Sequence, residues 1–438
     1  MPKIAADLPA RPIPAGHCDG GMALQHSFRF GAALSAFLML ASPALAASCR
    51  NTENFPAWLS AFKQEAAAQG ISQRTLASAA PYMTLEQRII HTDRGQRVFT
   101  KTFLQFSNQL IPAYRLQKGK QLLQQHASEF ARVEEKYGTP GPVIAAFWGL
   151  ESDFGANMGK EPSLRALTTL AYDCRRGDFF RGQLMDALRL IDRGDLAANE
   201  MIGSWAGEVG QIQMMATEYN KYAVDFDGDG HRNLMKSIPD IIASAGNYIQ
   251  TLEWRRGEPW LQSVRVSAKT PWDQSDLSIQ HPVSQWAAWG VTAQDGKPLT
   301  GNLPASLVLP MGRMGPAFLA YPNFQVYLKW NQSLVYSLTA AYFATLLAGE
   351  PPMHKGMGTP PAPLNFEESK DLQQRLKAYG YTGEVDGKLG QGTRTAIKAA
   401  QVKLGLPADS YPTLELLQKL GGHAVRPPEA AQPAQAVR

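Results

Sequence analysis

Leu122, His126, Phe130, Val133 and Tyr137 recur at spacings of three and four before Gly138, the signature of a helix that glycine stops. The same period runs through residues 179–191, 238–252 and 334–347. Strict alternation is confined to short pieces such as residues 262–266, so the large unit, residues 49–348, is expected to be mainly α with minor β. At Gly349 the pattern gives way to GEPPMHKGMGTPPAP, a Pro- and Gly-rich stretch over 349–363 that cannot hold a core and predicts a semi-stiff tether. A small helical unit follows at 364–421. The last stretch, 425–438 (VRPPEAAQPAQAVR), reads as a disordered tail.

Composition changes this picture little. The 438 residues are 44% hydrophobic and 18% charged, which fits two or three globular domains. An excess of 43 Lys and Arg over 38 Asp and Glu is too small to argue for nucleic-acid binding.

The compartment is more legible. Residues 30–45 (FGAALSAFLMLASPAL) form a short apolar run after Arg29 and end in Ala44-Leu45-Ala46, a small-residue cleavage pattern. The run is shorter than the roughly 20 residues a membrane-spanning helix needs, so residues 1–46 are read as a cleaved signal peptide of a periplasmic protein with no anchor in the mature chain. Met22 begins a leader of more usual length than Met1 does, and the sequence leaves the start open. Ala46-Ala47-Ser48 is a poor lipidation sequence before Cys49. Loss of Cys18 with the leader leaves Cys49 and Cys174, which an oxidising compartment favours pairing; by count alone, two separate thiols fit as well.

Chemistry concentrates at one helix end. Pro140 and Pro142 suit a helix start, residues 143–150 (VIAAFWGL) demand burial, and the run ends in Glu151-Ser152-Asp153-Phe154-Gly155. A carboxyl emerging from such a wall loses hydration when ionised, the environment that keeps an acid protonated for general-acid work. Asp153 does not supply a second carboxylate, because residues two apart on a helix do not face each other. A glutamate that merely leaves the core or pairs with an arginine is the alternative.

Four segments in order, FWGLESDFG, GSWAGEVGQIQMM (203–215), YAVDFDGDGHRN (222–233) and YPNFQVYLKWNQS (321–333), resemble the B-type lytic murein transglycosylases over nearly all of residues 50–348. That resemblance implies a goose-type-lysozyme-like helical fold and non-hydrolytic cleavage of the MurNAc–GlcNAc β-1,4 bond of peptidoglycan. Glu151 would protonate the glycosidic oxygen, then accept the proton of the muramoyl 6-hydroxyl as that oxygen attacks the anomeric carbon, which explains the missing second carboxylate. Carried over motif by motif, Ser204 and Gln213 would bind an acetamido group, and Tyr248, Trp330, Asn331 and Tyr336 would line the cleft; for the aromatics, core packing is the alternative. Three departures stand out: Trp330 replaces the family's tyrosine, Glu208 a small residue, and Ala216 a proline.

Asp225, Asp227 and Asp229, followed by Gly230 and the backbone carbonyl of His231, reproduce the first half of an EF-hand loop and suggest structural Ca2+. The twelfth position is Lys236, and Asp240 is the closing aspartate the resemblance implies; a metal-free Asp and Gly turn is the alternative. The small unit, with Asp371 to Leu376, Gly380-Tyr381, Asp386-Gly387 and residues 393–397, resembles the three-helix peptidoglycan-binding module of wall hydrolases. No Walker loop, HExxH, GxSxG or CxxC is present, which removes the usual support for nucleotide, zinc and serine-hydrolase chemistry. No cofactor is expected for the chemistry. Two rival readings stay open: a water-using muramidase with Glu208 as second carboxylate, and a non-catalytic wall-binding scaffold.

Overall fold

The computed structural model describes residues 54–95 and 101–423. The predicted leader, Cys49 and the predicted tail lie outside these residues. None of the described helices is long and apolar enough to cross a membrane.

Two helices form the centre because their sequences leave no polar face. Gly141–Ser152 (GPVIAAFWGLES) and Leu334–Leu347 (LVYSLTAAYFATLL) are apolar all round, so both must be enclosed by other elements. They pack on each other, and the helices Phe103–Leu110, Ala113–Gln125, Ala127–Tyr137 and Ile238–Thr251 surround them. Val143 to Phe147 and Leu338 to Ala344 are almost wholly excluded from solvent, Tyr342 excepted at 8% exposure. Phe154 reaches back over the first of these helices, and a Cβ on Gly149 would come within 2.7 Å of its ring. That close approach requires glycine.

The periodic run through His126 is not one helix. His126 leaves helical geometry at φ −113°, ψ 32° and ends Ala113–Gln125 while the next helix, Ala127–Tyr137, begins directly after it. Spacing alone cannot register such a break, because the apolar stripe continues across it.

The β component is larger than alternation suggested. Five antiparallel strands lie in the spatial order His281–Pro282, Pro304–Val308, Ala317–Ala320, Leu261–Arg265, Thr292–Ala293. Leu307 opposes Leu319, and Ser263 opposes Phe318. The sheet has its own core around Val264, Trp286, Val291 and Leu307. Strands such as PASLV and AFLA are buried on both faces and carry no alternation to read.

The small unit folds as three helices, Phe366–Leu376, Gln391–Lys403 and Leu414–Lys419, around Leu372, Leu376, Ile397, Leu416 and Leu417. Asn365 and Glu368 form a capping box at its start. Buried Gln373 explains the Asp-Gly turn: its side-chain oxygen accepts from Gly387 N at 2.7 Å and its amide donates to Asp386 Oδ1 at 3.0 Å.

The Pro- and Gly-rich stretch does not run free. Met353 N donates to the Tyr342 hydroxyl, His354 N to Ser263 Oγ and Gly358 N to Met314 O, so the stretch is a strap laid along the body. The small unit docks beside it. Lys398 Nζ donates to Ser275 O at 2.5 Å, Gln391 Nε2 to Asp276 Oδ1 at 2.6 Å, and Arg313 N to Asp409 Oδ2 at 3.1 Å. Tyr411, from the small unit, is buried in the core of the helical body. Replacing Tyr411 by Ala in the full chain is expected to cost about 3 kcal/mol, a core-like penalty for a large ring. Calorimetry giving the wild-type melting midpoint would contradict docking.

Candidate active site

Glu151 stands in the last turn of Gly141–Ser152, half-buried where the apolar wall ends. Trp330 Nε1 donates to its Oε1 at 3.0 Å, and the Tyr336 hydroxyl donates to the same oxygen. Both donors come from the far end of the chain, from Phe324–Trp330 and Leu334–Leu347. Burial, followed by the charge and hydrogen bond of Glu151 and the charge of Glu208, holds the Tyr336 phenol well above its ordinary pKa. It therefore remains a donor at any working pH.

The predicted cleft aromatics are brought to this point, but packed. Trp330 stacks on Phe147 with centroids 4.1 Å apart and tilts against Tyr248 at 5.2 Å, while Tyr248 in turn meets Tyr222 at 5.1 Å. Trp330 thus works as a fixed donor to the acid, and Tyr248 as the packing that holds it. Asn331 braces the cap of the following helix: its Oδ1 accepts from Ser333 N at 2.9 Å, and Ser333 Oγ, the cap itself, accepts from Tyr336 N.

Ser204 and Gln213 sit in one tight loop. Ser204 Oγ donates to Glu208 Oε2 at 2.8 Å and accepts from Ala206 N, so its hydrogen is committed within the loop. Gln213, at φ 49°, donates through Nε2 to Gly210 O at 2.7 Å and Met158 O at 3.1 Å, leaving Oε1 buried without a partner. Two carbonyl acceptors fix that amide orientation. Gly207, at φ +86°, occupies a left-handed position that favours glycine, and a Cβ there would meet Leu167 at 2.4 Å.

Sequence reasoning passed over Gln211 and Arg115. Gln211 Oε1 accepts from Trp148 Nε1 at 2.8 Å while its amide donates to Met235 O, tying the loop to the helix of the acid. Arg115 Nε donates to Asp153 Oδ1 at 2.8 Å. This pairing agrees with the reading that Asp153 is not a second catalytic carboxylate. Only an arginine inside an amphipathic helix pattern hinted at it.

The acidic loop is assembled from its own backbone. Asp225 accepts from Gly228 N and Gly230 N, Asp229 from His231 N, and Asp227 from Ser237 Oγ. One oxygen each of Asp225, Asp227 and Asp229 lies within 4.8 Å of the others, a hard-oxygen cluster that fits Ca2+. The His231 ring and Asp240 are outside that group. Asp240 is fully buried, and its two oxygens accept from Phe226 N at 2.7 Å and Asn233 N at 2.8 Å, bracing the loop through its backbone. Burial raises its pKa above the ordinary aspartate value.

A mainly helical body with a small sheet, joined to a three-helix module, is the fold of the lysozyme-like transglycosylases. The chain belongs to the transglycosylase SLT domain family, which it matches over residues 54–345; residues 367–420 match the putative peptidoglycan binding domain. It is 33% identical over 239 residues to membrane-bound lytic murein transglycosylase B of Escherichia coli (strain K12), a match covering 54% of this chain and 64% of that relative. This chain thus spans a little under two thirds of that relative's length. SltB3 from Pseudomonas aeruginosa, solved in complex with NAG-anhNAM-pentapeptide, superposes with a TM-score of 0.77 at 37% identity, covering 84% of this chain and 100% of that one. Escherichia coli Slt35, solved in complex with calcium, gives 0.57 at 27% identity, with 67% and 93% covered.

Replacing Arg115 by Met takes away the charged partner of Asp153 at a strained turn and is expected to cost about 2 kcal/mol, less than a fully buried pair because Asp153 is partly exposed. A thermal melt checks it; no shift in midpoint would show the pair to be idle.

Proposed function

We propose that the chain is a lytic transglycosylase that cleaves the MurNAc–GlcNAc β-1,4 bond of peptidoglycan and leaves a 1,6-anhydro muramoyl end. The observation that carries this reading is the single glutamate whose Oε1 takes two protein donors. With both lone pairs of Oε1 occupied, the proton available for transfer sits on Oε2. That proton passes to the glycosidic oxygen as its bond to the anomeric carbon breaks. Glu151, now a carboxylate steadied by Trp330 and Tyr336, takes the proton of the 6-hydroxyl while that oxygen closes on the anomeric carbon. No water is consumed, and the attacking group belongs to the same sugar, which gives it a high effective molarity.

A second reading is favoured by Glu208, whose charge reaches Tyr336 and whose carboxylate is held by Ser204. It would activate water in a muramidase. Mass spectrometry of digested wall separates the two: the anhydro product is lighter by one water than the hydrolytic one. Glu151→Gln is expected to abolish lysis; undiminished lysis refutes the role given to Glu151, and absent lysis by the wild type would support the wall-binding scaffold. Tyr336→Phe removes a hydrogen bond to a charged acceptor, worth about 1.5–3 kcal/mol, so kcat should fall roughly 10- to 100-fold. An unchanged kcat would show that the phenol does not serve the acid.

Export to the periplasm with loss of residues 1–46, and pairing of Cys49 with Cys174, belong to the same proposal. The carboxylates of Asp225, Asp227 and Asp229 would hold Ca2+, whose chemistry here is to neutralise and staple the loop. Calcium at about a hundredfold over its Kd would add about 2.7 kcal/mol to stability. Chelation should therefore lower the melting midpoint of the wild type, but not of Asp227→Ala. Equal effects on both proteins would discard the site.

A further inference from the structure

We infer that Tyr114 is a specificity-determining residue, a stacking platform for a pyranose of the glycan strand beyond the bond at Glu151. The inference rests on the glycan-cleaving reading above and adds where the strand lies.

Tyr114 is the second residue of Ala113–Gln125 and is 57% exposed. No other aromatic side chain in the described part of the helical body is as open. An exposed ring of this size is ordinarily free to move, but this one is fixed. Its hydroxyl donates to Asp153 Oδ2 at 3.0 Å, and Asp153 is itself held by Arg115 Nε at 2.8 Å. The Arg115 guanidinium carbon lies 5.9 Å from the ring centroid, and its Nη1 also donates to Leu110 O.

The position of the anchor gives the ring its meaning. Asp153 follows Glu151 by two residues, so their Cα atoms are within about 7.6 Å, two spans of 3.8 Å. A strand whose scissile bond lies at Glu151 extends over this neighbourhood. Tyrosine supplies a large rigid face that costs little entropy to order, and a pyranose offers C–H groups to such a face. Fixing the ring before the sugar arrives removes the ordering cost from binding. Asp153 accordingly has two tasks, neither of them proton transfer: it ends the helix of the acid and holds the platform.

The test measures KM and kcat of the full-length protein on soluble GlcNAc–MurNAc oligomers of increasing length, with Tyr114→Ala and Tyr114→Phe as variants and thermal melts alongside. For Tyr114→Ala the KM penalty should grow with oligomer length and reach about tenfold, or about 1.4 kcal/mol. Tyr114→Phe, which keeps the face and loses the anchor, should show a smaller penalty with the same length dependence. A penalty equal at all lengths, or a fall in kcat at constant KM, overturns the inference and makes Tyr114 a strut for the helix end. Failure of the wild type to cleave any oligomer or wall would overturn the proposed function first, and this inference with it.

Discussion

Two hydrogen bonds to one oxygen of Glu151 hold the site together, and they join parts of the chain 179 and 185 residues apart. They can form only if Gly141–Ser152 and Leu334–Leu347 stay packed, which is why neither helix has a polar face. Hydrophobic burial here does more than stabilise a fold. It aims a phenol and an indole at a carboxyl, and the stack of Trp330 on Phe147 prevents the indole from turning away.

The helix end that exposes the acid is itself strained. Asp153 at φ 54° and Phe154 at φ 58° are both left-handed, at roughly 1–2 kcal/mol each. Local contacts offset that cost: Asp153 N bonds back to Gly149 O, Ser152 Oγ accepts from Gly155 N, and Phe154 fills the space left by Gly119 and Gly149. The sharp stop leaves Glu151 at the boundary, half-buried, where an acid can reach both protein donors and a ligand.

How much of this the sequence shows follows from the range of each interaction. The place of Glu151 at the end of a buried helix was legible because an apolar run and its abrupt end are local features. The sharing of Oε1 by Trp330 and Tyr336 was not: motif order placed them in a cleft, but which atom of which ring meets the acid depends on packing across the whole domain. The resemblance put Ser204 and Gln213 in the groove as acetamido binders; the structure holds both in one loop, with hydrogen bonds that turn inward to Glu208, Gly210 and Met158. Of the sheet, the strand Leu261–Arg265 was legible as alternation at 262–266, while strands such as Ala317–Ala320 were not because they are buried on both faces, nor was the break at His126, because the apolar stripe runs across it.

Docking of the small unit shows the same limit and adds a consequence. The stretch at 349–363 has the composition of a tether, and composition governs a chain only where no partner competes for its backbone. Here Ser263, Met314 and Tyr342 compete and win. Charge governs the contact beyond the strap: burial lowers the pKa of Lys398 while Asp276 opposes it, and burial likewise lowers that of Arg394 against Tyr411, Asp276 and Asp409. Partly buried pairs of this kind contribute little net stability, since desolvation cancels most of the attraction. Misplacing either partner would leave a desolvated charge unpaired, so the pairs select one orientation out of many. A flexible tether would leave the orientation of the module open, whereas a docked module holds one orientation relative to the helical body that carries Glu151.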